Sequence, residues 1–196
     1  MEIVAVTERR LSVRPFIEQI MKIASSGVDM VVLREKDLTP WDYRGLAVLA
    51  KTLCEAHGVS FCVNTFVDIA SNIGADTVWI PYQRFIENGR PSIRRVGVSV
   101  HSLEEALRAE SGGANFLIYG NVFETSCKPG MGAKGFDELD SITGSVLIPV
   151  YAIGGIDTDN ASLMKSHNVR GICLRSAFMT ADEPAELVKR LRISTS

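Results

Sequence analysis

The 196-residue chain lacks the features that would assign it to several large classes of protein. Its 21 Lys and Arg residues are balanced by 23 Asp and Glu residues, so no basic field is available to attract nucleic acid. No run of residues approaches the roughly 20 apolar positions of a membrane span. Met1 leads straight into an apolar stretch, without the basic and apolar regions of a signal peptide. We therefore expect a cytoplasmic protein with a small-molecule partner, and neither a nucleic acid nor a membrane.

Cysteine is also scarce, and the four cysteines are scattered along the chain. They show neither C-x-x-C spacing nor a neighbouring histidine cluster, so the sequence offers no disulfide framework and no zinc site. We expect reduced thiols and no bound metal. The cysteines are Cys54, Cys62, Cys127 and Cys173.

The chain also lacks a linker or low-complexity tract, and short apolar runs alternate throughout with longer helical patterns. The runs are almost continuously apolar, as is typical of parallel strands that are buried on both faces. The predicted strands span residues 2–6, 29–33, 60–63, 77–80, 95–98, 116–119, 148–153 and 171–174. The predicted helices span residues 13–26, 40–57, 67–73, 102–110, 136–142, 160–166 and 184–191. Residues 82–91 are too short and polar a segment to predict a helix.

Helix boundaries carry recognisable signals. Ser102 followed by Glu105 has the spacing of a capping box, and Thr39 precedes a proline at the first helical position. Glycines stand at the C-terminal ends of three predicted helices, where a left-handed backbone conformation is needed. They are Gly27, Gly58 and Gly74.

Eight strand-helix units in a chain of this length favour a single domain, residues 1–196, folded as a closed (β/α)8 barrel of the TIM type. Closure covers the two edges that an open sheet of the same strands would expose. A doubly wound open sheet is the alternative.

In such a barrel the loops after the strands form the active face, so polar residues at strand ends are candidate site residues. Arg34 and Lys36 flank Glu35 after the second predicted strand, and they are expected to point toward a common anion. The alternative is a surface ion-pair cluster around Glu35. Asn64 ends the third strand and Ser99 the fifth, where His101 is either a structural residue or an acid-base group.

The last two strands are followed by Gly154 and Gly155 and by Arg175 and Ser176. Glycines allow backbone N–H groups to approach a phosphate closely, and barrels often bind phosphate after their last two strands. We therefore predict a phosphate site here, with a plain turn as the alternative. The long glycine-rich loop after the sixth strand is predicted to be a lid, from which Lys128 reaches a phosphate.

Four of these segments together resemble successive motifs of the thiamine phosphate synthase and TenI family. They are residues 32–36 (VLREK), 97–101 (GVSVH), 120–125 (GNVFET) and 152–156 (AIGGI). The resemblance extends in order from Thr7 to Phe178, and it implies a (β/α)8 barrel that acts in thiamine biosynthesis on a small phosphorylated thiazole-type ligand.

The resemblance offers two activities. Synthases of the family join a pyrimidine pyrophosphate to a thiazole phosphate with Mg²⁺, which is held by one Asp after the third strand and a second after the fourth. This chain has Thr65 at the first position and Tyr82, Gln83 and Arg84 around the second, so the resemblance implies no metal site. Residues 100–106 and 122–128 resemble TenI proteins, which aromatise a thiazole carboxylate phosphate by moving a proton.

The acid-base residue of TenI proteins is a His after the sixth strand, where this chain has Asn121, and an amide does not titrate near neutral pH. His101, Glu124 or Cys127 is then required to move the proton. Our hypothesis is a cofactor-free thiazole tautomerase, with a divergent thiamine phosphate synthase and a non-catalytic phosphate-binding paralogue as alternatives; a homo-oligomer is left open. The substrate-binding candidates are Arg34, Lys36, Asn64, Ser99, Thr125 and Lys128.

Overall fold

The computed structural model describes residues 1–124 and 135–195, and its centre is a closed barrel of parallel strands. Each strand pairs with the next in chain order, and the last pairs with the first, from Glu2 with Gly171 to Ala5 with Leu174. The predicted closed barrel is therefore confirmed, and the open sheet is excluded. The strands are β1 (Glu2–Val6), β2 (Met30–Leu33), β3 (Ser60–Asn64), β4 (Thr77–Pro81), β5 (Arg95–Val100), β6 (Phe116–Gly120), β7 (Val150–Ile153) and β8 (Gly171–Leu174).

The helices surround the barrel, mostly at the predicted positions. They are α1 (Phe16–Ala24), α2 (Pro40–Ala56), α3 (Val67–Asn72), α4 (Tyr82–Asn88), α5 (Leu103–Ser111), α6 (Asp137–Ser145), α7 (Ser176–Met179) and α8 (Pro184–Ser194). Short 3₁₀ helices span Arg9–Leu11 and Ala161–Ser166. In the described residues, no helix is both long enough and apolar enough to cross a membrane.

Two helix predictions need correction. Residues 82–88 form α4 although the segment is polar, because buried Phe85 and partly buried Tyr82 pack against the core. The helix predicted for residues 160–166 is a 3₁₀ helix, which buries only Ala161 and Met164.

The predicted helix ends are confirmed. Thr39 Oγ1 accepts a hydrogen bond from the Asp42 N–H at 3.2 Å, and Ser102 Oγ accepts one from the Glu105 N–H at 3.2 Å. The Glu105 carboxylate reaches past Ser102 and bonds the His101 N–H at 2.7 Å, which ties the end of β5 to α5. The three predicted stop glycines all have positive φ.

The core has two layers because each strand is covered on both faces. One layer fills the barrel interior and the other lies between the strands and the helices. The interior layer consists of Val4, Val6, Met30, Val32, Cys62, Trp79, Phe116, Ile118, Tyr151 and Cys173.

The thiols within the described ranges are free and buried, and they belong to Cys54, Cys62 and Cys173. Burial raises the pKa of all three, that of Cys54 to about 12. Because the thiolate is the reactive form, these cysteines are packing residues. Cys127 lies outside the described residues.

Two glycines give a matched test of this packing. A methyl group on Gly97 would overlap the Phe116 ring inside the barrel, whereas one on Gly45 in α2 would meet open space. Gly97→Ala should lower the free energy of unfolding by about 1–3 kcal/mol through overpacking. Gly45→Ala should raise it by about 0.5–1 kcal/mol, because alanine loses less backbone entropy in a helix. Urea unfolding measures both, and equal effects would contradict the packing described for the barrel interior.

Candidate active site at the carboxyl ends of the strands

The candidate residues lie at the carboxyl ends of the strands, and those on neighbouring strands contact one another. Between β8, β1 and β2, one carboxylate joins two arginines. Glu8 Oε2 accepts hydrogen bonds from Arg175 Nη1 at 2.8 Å and from Arg34 Nη1 at 3.3 Å. Their side chains are 19–25% exposed. Two predicted ligand-binding arginines are thus held together by Glu8, the second residue after β1, which the sequence pattern did not single out.

Glu35 has a structural role beneath this group. Its carboxylate accepts bonds from the Thr7 hydroxyl at 2.6 Å and from the Arg9 N–H at 3.0 and 3.1 Å, and the residue is 1% exposed. The Thr7 hydroxyl also accepts the Arg34 N–H at 2.9 Å. Burial raises the pKa of Glu35, because the charged form loses hydration that these bonds only partly replace. Glu35 therefore fixes the β1 and β2 ends and is not a surface ion-pair centre.

Lys36 lies in a different part of the mouth from the Arg34 guanidinium. It lines a cleft of about 300 Å³ between the ends of β2, β3 and β4, to which Arg34 does not contribute. The two cations were expected to face one anion, and this expectation stays a prediction. The cleft is lined by Glu35, Lys36, Asn64, Thr65, Phe66, Pro81 and Arg84.

Asn64 and Ser99 both hold Trp79. The Asn64 amide donates to the Trp79 carbonyl at 3.0 Å, and the Trp79 indole N–H donates to Ser99 Oγ at 2.6 Å. Trp79 belongs to the apolar interior of the barrel and is 6% exposed. Asn64 thus holds the Trp79 backbone and Ser99 its indole, which packs in the barrel interior.

His101 and Asn121 meet at the end of β6. His101 Nδ1 lies 2.7 Å from the Gly120 carbonyl oxygen. A carbonyl only accepts, so Nδ1 carries the proton of this bond and, in the neutral ring, Nε2 is the basic nitrogen. Asn121 is buried, and its amide donates to the Phe123 carbonyl at 3.2 Å. Glu124 is exposed, while Thr125, Cys127 and Lys128 lie outside the described residues.

The Gly154-Gly155 pair is explained first by packing. Both residues have positive φ, and the backbone of residues 121–124 passes directly over them. A side chain on Gly154 would collide with Asn121, and one on Gly155 would collide with Phe123 and Glu124. The Phe123 N–H also bonds the Gly154 carbonyl at 3.0 Å. The glycines are thus required by this segment whether or not phosphate binds beside them.

The phosphate prediction therefore depends more on Arg175 and Ser176. These residues follow β8, which pairs with β7 beside the glycines, so both turns lie on one side of the mouth. Ser176 begins a helix of only four residues, which has too few aligned peptide dipoles to contribute the partial charge of a long helix. Phosphate binding here stays a prediction.

The donor set does not fit the Mg²⁺ ion that the synthases use. Thr65 and Arg84 supply no carboxylate to the cleft, and both Glu35 oxygens are already bonded to Thr7 and Arg9. The described residues contain no group of three or more His, Cys, Asp or Glu that could hold a metal ion. Hard divalent cations are usually held by carboxylates, and the one carboxylate among the described lining residues is already bonded to Thr7 and Arg9.

A closed parallel barrel with its polar residues at the carboxyl ends of the strands has the arrangement that enzymes of this fold use. A family model described as thiamine monophosphate synthase matches residues 3–178, so the chain belongs to that family. It is 35% identical over 188 aligned positions to the thiamine-phosphate synthase of Clostridium acetobutylicum, covering 91% of this chain and 87% of that protein. It is 34% identical over 196 positions to the Pyrococcus furiosus thiamine-phosphate synthase, covering 98% of this chain and 93% of that protein.

A solved structure supports the same family assignment. The thiamine phosphate pyrophosphorylase from Pyrococcus furiosus superposes with a TM-score of 0.85 at 31% identity, covering 99% of this chain and 95% of that one. The family expected from the sequence is confirmed. These relatives are named as synthases, so their names favour the synthase alternative over the tautomerase that the motifs favoured.

The buried Glu35 gives a pH prediction. Its folded-state pKa lies above the unfolded value of 4.5, so the folded state binds the proton more tightly. The wild-type free energy of unfolding should therefore fall as pH rises from 4.5 through the folded pKa, and then level off. Glu35→Gln should lack this slope. Urea unfolding of both proteins at several pH values measures it, and parallel profiles would contradict the assignment. The lowered pKa of Asp37, about 2, acts only below this range.

Proposed function

We propose that the protein is a thiazole tautomerase, which aromatises a phosphorylated thiazole carboxylate without a metal and with His101 as the acid-base group. The observation that carries the proposal is the 2.7 Å contact between His101 Nδ1 and the Gly120 carbonyl. It holds the imidazole at the peptide that leads into Asn121, the position of the TenI histidine. A titratable ring is thus present beside the non-titrating amide.

The chemistry requires one proton to leave a ring carbon and one to be returned at another position. His101 Nε2 takes the first proton, and the imidazolium then gives one back, so composition and oxidation state are unchanged. The Gly120 carbonyl keeps the ring oriented by accepting the hydrogen bond that Nδ1–H donates. Glu124, exposed at the adjoining loop, is the remaining titratable candidate in the described part of that loop.

The anionic groups of the substrate are assigned to the cationic parts of the mouth. Arg175 and Ser176, beside Gly154 and Gly155, are proposed to hold the phosphate. Glu8 orients Arg175 and Arg34 by accepting a bond from each. Lys36 in the cleft is proposed to face the carboxylate, while Asn64 and Ser99 act through Trp79.

A divergent thiamine-phosphate synthase is the second candidate, favoured by the names of the relatives. That reaction releases pyrophosphate and, in the family motif, depends on metal-holding carboxylates. Thr65 and Arg84 at these positions argue against it. Purified protein offered both substrate sets distinguishes the two: chelator-insensitive aromatisation supports the proposal, and chelator-sensitive formation of thiamine phosphate overturns it. Ligand binding without either turnover would support the non-catalytic paralogue.

Substitution of the histidines tests the proton path. His101→Ala should lower the tautomerase kcat by about 10²–10⁴-fold, the usual contribution of a positioned acid-base group. His57→Ala, at the exposed end of α2, is the matched control and should leave kcat unchanged. Asn121→His should raise kcat by supplying the family's group. Full activity in His101→Ala would remove His101 from the mechanism.

The phosphate assignment needs variants that leave residues 121–124 undisturbed, which excludes changes at Gly154 and Gly155. Arg175→Gln should weaken binding of a thiazole phosphate roughly tenfold or more, because a charge-assisted hydrogen bond contributes about 1.5–3 kcal/mol. Arg108→Gln, on the exposed face of α5, is the control. Calorimetry gives both affinities, and equal values would refute the site.

A further inference from the structure

We infer that the outward face of α2 is a dimerisation surface, on which two copies of the chain pack antiparallel about a twofold axis. The helix carries an apolar, solvent-exposed stripe, and the charges beside the stripe are complementary in such a pair. The inference concerns the outside of the barrel and does not depend on the proposed reaction.

The inner face of α2 attaches the helix to the barrel. Its fully buried residues recur at the three- and four-residue spacing of a single helix face, and they are Tyr43, Ala47, Ala50 and Cys54. A helix that buries one face against its own protein usually carries charged or polar residues on the opposite face. The outward face of α2 departs from this rule.

The centre of that outward face is uncharged. Its residues recur at the same spacing, all are solvent-exposed, and we call them the α2 stripe: Trp41, Gly45, Val48, Leu49, Thr52 and Ala56. Trp41 is 80% exposed, Val48 45% and Leu49 51%. Tryptophan is enriched at the centres of protein interfaces, because its large ring system gains much from leaving water. The α2 stripe is therefore typical of a surface that a partner covers.

The charged residues on one side of the α2 stripe are arranged along the helix in an order that suits a second copy. Arg44 lies near the amino end and Glu55 near the carboxyl end. Glu55 accepts a bond from Lys51 at 2.6 Å, but 59% of its side chain is exposed, so a second cation can approach it. Two helices related by a twofold axis run antiparallel with the same side together, so Arg44 of each copy lies near Glu55 of the other.

The side chains of the α2 stripe also fit this arrangement by size. In the antiparallel pair, the large Trp41 lies opposite the small Ala56 of the second copy, and Gly45 lies opposite Thr52. Val48 lies close to the twofold axis, where it meets its own copy. Large side chains opposite small ones allow two helices to approach to about 8–10 Å, the distance at which their surfaces interdigitate.

The charge pattern favours a second copy over a lipid surface. Helices that lie on membranes carry lysine and arginine along their polar borders. The borders of the α2 stripe are mixed instead, because the exposed residues Asp42 and Glu55 stand there as well as Arg44.

Analytical ultracentrifugation and tryptophan quenching between about 1 and 100 μM test the inference, since interfaces of modest area associate in this range. Wild-type protein should shift from the monomer to the dimer mass as its concentration rises. The chain has two tryptophans, and Trp79 is only 6% exposed, so quenching by acrylamide reports chiefly on Trp41. Quenching should decrease as the dimer forms.

A substitution near the axis identifies the face. Val48→Glu should raise the dissociation constant of the dimer roughly thirtyfold or more, as at an interface hot spot, because it places two carboxylates together. Leu163→Glu is the matched control, since Leu163 is 50% exposed on the 3₁₀ helix Ala161–Ser166, and it should leave association unchanged. Circular dichroism of the dilute proteins checks that both variants fold.

A charge exchange tests the antiparallel direction. Arg44→Glu and Glu55→Arg should each weaken association, and the double variant should restore it because the two charges then meet again between copies. A wild type that stays monomeric, a dimer that persists in Val48→Glu, or a double variant weaker than both single ones would overturn the inference. A monomer that cosediments with phosphatidylserine and phosphatidylcholine vesicles would overturn it in favour of a lipid surface.

Discussion

The pairing of β8 with β1 is the constraint on which the candidate site depends. It brings residues from the two ends of the chain together, so that Arg175 reaches the Glu8 carboxylate at 2.8 Å across 167 positions of sequence. The same closure gives every strand two neighbours, and residues after one strand then contact those after the next. The bonds of Thr7 with Arg34, Asn64 with Trp79 and His101 with Gly120 are successive examples.

The polar residues at the mouth of the barrel fall into two groups: those that hold a neighbouring side chain or backbone in place, and those proposed to contact a ligand. Glu8, Glu35 and Ser99 accept hydrogen bonds from neighbouring side chains or backbone, and so fix the positions of the cations and of Trp79. Buried polar groups need such partners because an unpaired one costs about 1–3 kcal/mol. The polar residues at the mouth are therefore preorganised, a property that both ligand binding and proton transfer require.

The barrel was predictable from sequence because a strand buried on both faces leaves a continuous apolar run, and all eight runs are strands. The helix α4 was missed because its single buried anchor, Phe85, gives no amphipathic pattern. Strand-end position predicts that the candidate residues lie at the mouth of the barrel, but it does not show which partner each side chain contacts. Arg34, for example, is bonded to Glu8, which follows a different strand. Such contacts join residues distant in sequence, and no local pattern reports them.

The Gly154-Gly155 pair also shows that a sequence motif does not report contacts with residues distant in sequence. Sequence position favoured phosphate binding, whereas the packing of residues 121–124 over both glycines supplies an independent reason for them. Both explanations are compatible, because a backbone without side chains admits a neighbouring loop on one side and a ligand on the other.

The changes from the synthase motif are physically consistent with one another. A condensation that releases pyrophosphate builds negative charge on the leaving group. A divalent cation with open coordination sites can bind the leaving group and stabilise this charge as it develops. An isomerisation leaves the total charge of its substrate unchanged, so fixed cations suffice to hold it. Arg84 and Lys36 are cationic residues that line the cleft, while Thr65 supplies no carboxylate and that of Glu35 is already bonded. In the proposed isomerisation, the imidazole anchored at the Gly120 carbonyl would supply the one function that fixed cations lack, the reversible gain of a proton.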